Sequence, residues 1–510
     1  MKKAKKITLL STIIIIVGSV IGAGIFFKNK TLFSLSQGNL AWVLGAWGLA
    51  IIGIFALILA IVEISSTSET NAGILEWAKK FMPNILYNSS KNFMVVIFLP
   101  LTIVILPFFA ISMFEEAGLN FENWEVLMVW LVMLAYFLIT NWISMRFSEI
   151  SQWFFTVIQM IPLFIVPLLG FMNILPGDQI MNKEIGVAES QVEQIHGLAA
   201  MAPSLVMVSG IPAIMFAFDG FYNATSLKED MVEPKKNIKA IVIGIAIIAS
   251  IYIWVTIGFG LGTSNGSITG IEINDTLKKI IEIIISVGVI STINGYVMTT
   301  LNQFEYLDSK TESMILVKVK KTMYKLGLID KSDRFYAFSF LALLTPILSI
   351  IFWAIGSYAW TADTEFDGTS ALIDTLSSYN SLIIYLVIGG SIVGGIINRK
   401  TNRIPVQKFK YFLPAAYFAI LFIAVALLWA FIEGFVNLSG YNDADVLNNA
   451  IKLGSIAFFL SISFILGHIE SKWLPKHHAK IGHVKEEWEE KLIKNNKEHM
   501  VNKAKRKKRA

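Results

Sequence analysis

Long apolar segments alternate with short polar stretches along the chain, and this pattern predicts twelve membrane-spanning helices. A helix needs about 20 mostly apolar residues to cross a bilayer. The polar stretches between the segments are shorter than the ~50 residues of a small folded domain. We therefore expect an all-α integral membrane protein, with one membrane domain over 7–470, a short N-terminal segment 1–6 and a tail 471–510. The twelve segments are 7–32, 40–64, 93–114, 124–145, 152–176, 204–227, 238–262, 278–302, 335–355, 379–397, 411–433 and 452–470.

The composition agrees with a membrane protein and removes several kinds of chemistry. Hydrophobic residues make up 55% of the 510 residues, and the mean hydropathy is +0.62. The chain has no cysteine, which excludes disulfides, thiolate metal sites and cysteine nucleophiles, and its six histidines are scattered. We expect no metal, no cofactor and no enzymatic centre.

The basic residues are distributed unequally between the two sides of the predicted topology. With the N-terminus inside, 37 of the 43 Lys and Arg residues fall on the cytoplasmic side. Cytoplasmic loops carry the Lys and Arg excess, so both termini are predicted to be cytoplasmic in a protein of the cell membrane. The net charge of +6 then reflects topology, which argues against nucleic acid as a partner, and the basic tail is expected to form a solvated helix near anionic lipid heads. The six outer residues are Lys28, Lys30, Lys183, Lys278, Lys279 and Lys452.

The first segment has small residues at its centre, where Gly18, Gly22, Ala23 and Gly24 interrupt the apolar run. Glycine weakens a helix and frees backbone groups that lipid cannot satisfy, so an unwound stretch must face protein, water or a ligand. Close packing of neighbouring helices is the alternative use of such residues, and this segment alone does not separate the two. A signal peptide fits less well, because the apolar run continues past the glycines.

The sixth segment contains a carboxylate at its centre, where Asp219 stands beside Gly220 and between aromatic residues. A charge at bilayer depth costs several kcal/mol, so it faces a cavity or a partner and is a functional candidate. Structural pairing with another span is the alternative, but the sequence offers no obvious partner, since charges such as Glu63 and Glu433 lie near the ends of their segments.

Interruptions in the first and sixth spans, five spans apart, are typical of an inverted repeat of five helices. The ends of the half-helices then present N–H groups to an anion and carbonyl groups to a cation at one site near the bilayer midplane. A ligand that carries both charges on adjacent atoms suits this site, and α-amino acids are the commonest such metabolites. The residues therefore favour a transporter of a zwitterion.

Several motifs resemble those of the amino acid–polyamine–organocation (APC) permeases. Residues 18–26 resemble the first-span signature G-x-x-I-G-[ASG]-G-[IV]-F. Residues 216–221 and 229–238 resemble the sixth span and its following loop, F-A-[FY]-x-G-[FW] and E-E-[ML]-x-[NE]-P-x-[KR]. Glu63, residues 71–77 and residues 291–296 also match, whereas spans nine to twelve match only in hydropathy and number.

The resemblance implies a leucine-transporter-like fold, with spans one to five and six to ten as inverted repeats and helices 1 and 6 discontinuous. It places N–H groups around Gly22, Ala23 and Gly24 on the substrate carboxylate. Carbonyl groups near Val20, Phe216 and Asp219 would take the ammonium group, and the aromatic ring of Phe216 would close over the substrate. The substrate-binding stretches are thus Val20, Ile21, Gly22, Ala23 and Gly24 in helix 1, and Phe216, Ala217, Asp219 and Gly220 in helix 6.

An aspartate at the position of Asp219, directly before Gly220, is less usual among the APC permeases, although their L-type exchanger branch also has aspartate before this glycine. We hypothesise that the Asp219 side chain favours cationic amino acids. Neutral amino acids and then polyamines are the alternatives, and polyamines fit less well because they lack a carboxylate.

Coupling is where the sequence departs from the family. Many members have a lysine in span five, in a pattern like F-T-x-x-K, whereas this chain has Gln159 there, which cannot titrate. Ser291 and Thr292 offer hydroxyl oxygens that suit sodium, but such residues more often bond their own or a neighbouring helix. The sequence therefore does not decide whether transport is coupled to a proton, to sodium or to a counter-substrate. Exchange or uniport is favoured.

A nucleotide-driven pump, a membrane enzyme and a receptor are three other classes of function for a chain of this kind. The chain has no phosphate-binding G-x-x-x-x-G-K-[ST] loop and no H-E-x-x-H motif, which argues against a nucleotide-driven pump and a membrane metalloprotease. A receptor derived from a transporter, with the basic tail as its output element, is the remaining alternative. Alternating access by a secondary transporter is the interpretation that the motifs favour.

Overall fold

The computed structural model of the chain describes residues 7–507 apart from 69, 173–197, 264–265, 267, 272, 329–331, 361, 363 and 439–442. The predicted N-terminal segment 1–6 and the last residues of the fifth predicted segment, 173–176, lie outside this part. Within it, ten helices are long and apolar enough to cross a membrane, and two bent helix pairs raise the number to twelve if each pair is one span. The predicted all-α membrane fold is confirmed.

The first five spans are formed by seven α-helices and one π-helical turn. The first span is broken into α1 and α2, and the third consists of α5, a π-helical turn over Phe93–Phe98, and α6. The short α4 precedes this third span. The bounds are α1 Leu9–Val20, α2 Ala23–Leu35, α3 Leu40–Ser65, α4 Ile74–Phe81, α5 Asn84–Asn92, α6 Leu99–Glu116, α7 Asn123–Ile143 and α8 Met145–Met172.

The sixth span is also broken, into α9, α10 and a 3₁₀ helix over Phe221–Asp230. The bend between 203–209 and 211–230 is 52°. The last helix continues from its membrane span through the basic tail. The bounds are α9 Val206–Ser209, α10 Ile211–Ala217, α11 Asn237–Gly262, α12 Asp275–Ser309, α13 Met314–Lys325, α14 Asp333–Tyr358, α15 Glu365–Thr401, α16 Phe412–Asn437 and α17 Asp443–Lys507.

Several helices extend well beyond the predicted apolar segments, because polar residues at their ends are buried against other helices. The clearest case is α5, which is polar yet helical and precedes the predicted third segment 93–114. Its Lys91 is 1% exposed, and the Lys91 Nζ atom lies 3.1 Å from the Glu470 Oε2 atom of α17. The same Glu470 carboxylate accepts from the Met314 backbone N–H, and Lys91 donates to the carbonyl of Glu312. A buried ion pair needs such additional hydrogen bonds, and this one joins α5, α13 and α17.

A second ion pair ties the ends of α3 and α15. The Arg399 guanidinium donates to both carboxylate oxygens of Glu63, at 2.6 Å from Nε and 2.5 Å from Nη2. The Phe409 backbone N–H also donates to Glu63. Hydropathy places Glu63 near a helix end, and the structure adds its partner, 336 positions away in the chain.

The two broken spans lie among the other helices. Helix α1 packs against α8, α11 and α12, and α10 packs against α2 and α15. The start of the described chain is held beside the broken sixth span, since the Ile7 N–H donates to the Asp230 carbonyl at 2.8 Å and the Val232 N–H donates to the Ile7 carbonyl at 2.9 Å. The predicted discontinuities in helices 1 and 6 are thus both present, in the positions that an inverted repeat of five helices requires.

Candidate functional site

The break in the first span lies at Ile21 and Gly22, between the end of α1 and the start of α2. Ile21 is extended, with φ −72° and ψ 113°, and Gly22 has φ −158° and ψ −133°. Because the first four N–H groups of a helix have no acceptor within it, α2 presents free donors and the positive end of its dipole at the break. A Cβ atom on Gly22 would lie 2.2 Å from the Thr292 Oγ1 atom, so α12 packs directly on the unwound turn.

The break in the sixth span lies at Phe218 to Gly220. The α-helix ends at Ala217, and Gly220 has φ 96°, a conformation that side chains disfavour, before the 3₁₀ helix begins. A Cβ atom on Gly220 would also lie 2.8 Å from the Tyr296 hydroxyl oxygen. Glycine is therefore required here by both the backbone turn and the packing of α12.

The two breaks touch each other through backbone atoms. A Cβ atom on Gly24 would lie 2.6 Å from the Ala217 Cα atom, which leaves no space for a side chain. The Tyr252 side chain of α11 is fully buried, and its hydroxyl lies 2.7 Å from the Ala217 carbonyl and 3.1 Å from the Val20 carbonyl. One hydroxyl thus joins the last carbonyls of α1 and α10.

The Asp219 carboxylate lies beside this junction. The residue is buried, with 4% of its surface exposed. Its Oδ1 atom accepts from the Gly220 N–H at 2.8 Å and from the Tyr222 hydroxyl, and its Oδ2 atom accepts from the Ser381 hydroxyl at 2.6 Å. The charges of the other spans suggest no partner for this carboxylate, and the partners that the structure gives it are an N–H group and two hydroxyl groups. Neutral donors from the sixth span and from α15 hold the carboxylate in the protein interior.

Phe216 is the next-to-last residue of α10, and its ring faces a buried cation. The Lys28 Nζ atom lies 4.9 Å from the centroid of the Phe216 ring, and Phe109 packs against the same ring at 5.7 Å between centroids. Lys28 is fully buried and forms an ion pair with Asp374 of α15. Its ammonium also donates to the Ser378 hydroxyl at 2.9 Å.

Lys28 was assigned by topology to the group of outer basic residues. The structure places it inside the helix bundle, within α2, where it links the broken first span to α15. A count of charges on each side of a membrane predicts on which side a residue lies, but not whether its side chain is buried. For this reason the sequence did not predict the burial of Lys28.

The coupling candidates Ser291 and Thr292 lie at the break in the first span. The Thr292 hydroxyl oxygen is 3.3 Å from the Gly18 carbonyl and 3.2 Å from the Ile21 carbonyl. A Cβ atom on Gly18 would lie 2.8 Å from Ser291 Oγ and 2.1 Å from Thr156 Oγ1. Hydroxyl groups from α8 and α12 therefore surround the last turn of α1.

Gln152, rather than Gln159, brings an amide group to this cluster. The Gln152 Nε2 atom donates to Ser291 Oγ at 2.9 Å, and its Oε1 atom accepts from Asn294 Nδ2 at 2.8 Å, which fixes the direction of the amide. Gln159 lies two turns further along α8, where its side chain packs on Gly288 and its buried amide has no hydrogen-bond partner among the residues that the structure describes.

Comparison with known proteins shows which family the chain belongs to. The sequence profile described as amino acid permease matches residues 7–444. The chain belongs to the amino acid permease family. This confirms the resemblance to APC permeases that the motifs in spans one and six indicated, and a permease of this family is a transporter rather than an enzyme.

The relatives cover most of the permease. It is 27% identical to an uncharacterised protein of Mycoplasma pneumoniae, over 94% of this chain and 96% of the relative. It is 22% identical to the human large neutral amino acids transporter small subunit 2, over 84% of this chain and 76% of the relative. It is 24% identical to the rabbit b(0,+)-type amino acid transporter 1, over 78% and 77%. A solved Eremococcus coleocola manganese transporter is similar at a TM-score of 0.49 and 12% identity, over 91% of this chain and 94% of that one.

Within the described part of the permease, no group of three or more His, Cys, Asp or Glu side chains is placed to hold a metal ion. The expectation that no metal or cofactor takes part stays a prediction. The residues that sequence reasoning missed are Lys28, Gln152, Tyr252, Ser381 and Asp374. Gln152, Tyr252, Ser381 and Asp374 belong to long helices, and only the packing of distant spans brings them to the site. Lys28 lies in the shorter α2 and inside the predicted first segment 7–32, where a charge within an apolar run is the signal that could have found it.

Proposed function

We propose that the permease carries α-amino acids by alternating access, with the substrate held between the two helix breaks. The substrate carboxylate binds the free N–H groups at the start of α2, and its ammonium group binds carbonyl oxygens at the ends of α1 and α10. The observation that supports this most directly is the backbone contact of Gly24 with Ala217, since it brings a donor end and an acceptor end of two half-helices together.

Alternating access requires that the broken spans be released at one end at a time. At the end predicted to face outside, Lys28 on α2 is tied to Asp374 of α15. At the other end, the Asn71 Nδ2 atom donates to Asp230 Oδ2 at 2.9 Å, and Ile7 pairs with Met231. We infer that opening towards either side breaks one of these sets of contacts and keeps the other.

We further infer that the substrates carry neutral side chains. Three donors already occupy the Asp219 carboxylate, which therefore does not require a cationic side chain for its own stabilisation. Two of the relatives support amino acids as the class, and the name of one specifies large neutral amino acids. The buried Lys28 beside Phe216 adds a resident positive charge that repels a second one.

Cationic amino acids are the second candidate, because Asp219 remains a buried carboxylate next to the proposed ammonium site. A competition panel in proteoliposomes separates the two candidates, with labelled leucine and labelled arginine each challenged by the twenty amino acids, ornithine and putrescine. We expect neutral amino acids to compete most strongly with labelled leucine. Binding without any uptake would instead favour a receptor, and competition by putrescine alone would contradict recognition of a carboxylate.

Transport is expected to proceed by exchange and to need no sodium or proton gradient. The Gln152 amide holds a fixed N–H donor against Ser291 at the last turn of α1, and such a donor disfavours a cation at the same place. Counterflow of labelled substrate into preloaded liposomes should be unchanged when sodium is replaced by choline or when the pH gradient is collapsed. Empty liposomes should take up little label. A rate that falls without sodium would contradict this prediction.

The Tyr252→Phe variant tests the junction between the breaks. Removing a hydroxyl that bonds two carbonyls costs a net ~0.5–1.5 kcal/mol, so we expect the KM for uptake to rise about two- to tenfold. Maximal rates at saturating substrate should change less, because the carbonyls themselves remain. The matched control is Tyr385→Phe, whose buried hydroxyl makes a longer bond of 3.3 Å to the Met215 carbonyl alone. Equal KM values for wild type and Tyr252→Phe would show that the hydroxyl does not organise the site.

A further inference from the structure

An apolar groove of about 700 Å³ lies between α5, α15 and α17, away from the two helix breaks. Its walls are formed by Phe93 after α5, by Leu386 and Gly390 of α15, and by Leu460 and Phe464 of α17. The candidate substrate site does not share any of these residues. The groove is therefore a separate feature, which the proposed transport mechanism leaves unexplained.

The groove extends along α15. A second cavity of about 100 Å³ continues it towards α16 and shares Ile383, Leu386 and Leu460 with the first. The two cavities line α15 from Tyr379 to Gly390. At 1.5 Å per helical residue this stretch is about 16 Å long, which suits an extended chain better than a compact ligand.

The rim of the groove faces the bilayer. Leu386 is 43% exposed, Phe464 is 50% exposed and Ile465 is 56% exposed, and all three belong to spans that cross the membrane. Four serines line the groove, and two of their hydroxyls donate to carbonyls of their own helices, Ser89 to Ile85 and Ser463 to Phe459. The Ser90 hydroxyl donates to the Met82 sulfur at 3.8 Å. The surface offered to an occupant is thus apolar and opens sideways into hydrocarbon.

The arrangement of α17 keeps the groove in place. Near the end predicted to be cytoplasmic, Gly467 packs on Ser89 so closely that a Cβ atom would lie 2.5 Å from the Ser89 nitrogen. One turn further on, Glu470 is bonded to Lys91 and Asn92. These contacts fix α17 to α5 beside the groove, so the space does not close by a simple shift of α17.

We propose that an acyl chain of a membrane phospholipid binds in this groove and supports α15 from behind. The opposite side of the same stretch of α15 carries Ser381, which bonds Asp219, and Tyr385, which bonds the Met215 carbonyl. An acyl chain packed against Ile383 and Leu386 holds α15 against the broken sixth span. The link to transport rests on the proposed function, whereas the binding itself does not.

The experiment uses the full chain in liposomes that contain a phosphatidylcholine with a photoactivatable diazirine in one acyl chain. After illumination, labelled peptides are mapped by mass spectrometry. We expect label to concentrate on α5, α15 and α17 at the groove. Ser461→Trp places a ring in the groove from an exposed position of α17 and should reduce this labelling several-fold. The matched control is Leu421→Trp, a residue that is 60% exposed on α16 and does not line the groove.

Several results would overturn the proposal. Label spread evenly over all lipid-exposed helices would indicate bulk lipid only, and unchanged labelling of Ser461→Trp would place the lipid elsewhere. Stronger labelling of the groove by a photoactivatable sterol than by the phospholipid would contradict the choice of ligand. Leu386→Trp, from another wall, repeats the test should Ser461→Trp fold poorly. If the acyl chain supports α15, the KM for amino acid uptake should be higher in Ser461→Trp and Leu386→Trp than in the wild type. Uptake by the wild-type protein tests the proposed function separately.

Discussion

Gly24→Ala is expected to abolish most amino acid uptake, because one methyl group has no room where the two broken spans meet. A Cβ atom there would lie 2.6 Å from the Ala217 Cα atom, and backbone cannot move aside as a flexible side chain can. Forcing atoms into a packed contact costs about 1–3 kcal/mol, which corresponds to a loss of rate of about 5- to 150-fold if the contact is kept during transport. The measurement is the initial rate of uptake into proteoliposomes at equal protein content.

The control for this variant is Gly48→Ala in α3, where a Cβ atom would meet nothing within 4 Å. Alanine favours helix over glycine by about 1 kcal/mol, so Gly48→Ala should fold and transport as well as the wild type. Thermal unfolding of both variants shows whether Gly24→Ala still folds. Normal uptake by a folded Gly24→Ala protein would contradict the close approach of α2 and α10 at the site.

The breaks themselves could be predicted from the sequence, because their signal is local. Glycine within an apolar run weakens the helix wherever the rest of the chain lies, and an aspartate at bilayer depth stands out from its neighbours. For this reason the sequence alone predicts interruptions around Gly22 and Gly24 and around Asp219 and Gly220. The number of spans was predictable for the same reason, since hydropathy is read one segment at a time.

The partners of those residues could not be predicted, because they depend on how distant spans pack. Ser381 is 162 positions from Asp219, and Tyr252 is 232 positions from Val20. A serine or a tyrosine inside a long apolar helix has many structural uses, so neither attracts notice by itself. The coupling position shows the same limit, since the motif pointed to Gln159 and the helix geometry brings Gln152 to α1 instead.

Burial of polar groups explains why several helices are longer than the apolar segments predicted from hydropathy. The hydropathy of α5 is low, yet Lys91 and Asn92 are almost completely buried because Glu470 of α17 bonds both. A window average treats such residues as solvent-facing, although in the folded chain they satisfy one another. The same reasoning applies to Lys28, whose partner Asp374 lies on a span almost 350 positions away.

Asp219→Asn is expected to lower uptake of every substrate by about tenfold or more, because hydrogen bonds to a charged group each contribute about 1.5–3 kcal/mol. An amide presents one N–H₂ group where the carboxylate presents an acceptor, so it faces the Ser381 or Tyr222 hydroxyl with a donor. Since these contacts hold the sixth span to α15, the loss should not depend on the substrate side chain. The measurement compares initial uptake of citrulline and arginine, which are similar in shape and differ in charge.

The double variant Asp219→Asn with Ser381→Ala makes this test specific. If the two groups act through one hydrogen bond, each single variant loses it, and the double variant loses little more than Asp219→Asn alone. Ser377→Ala, on the same helix but bonded to the Asp374 carbonyl and Lys28 rather than to Asp219, is the matched control and should add its own effect in full. A loss confined to arginine, with citrulline uptake preserved, would instead mean that the Asp219 carboxylate contacts a cationic side chain, and the permease would then be assigned to cationic amino acids.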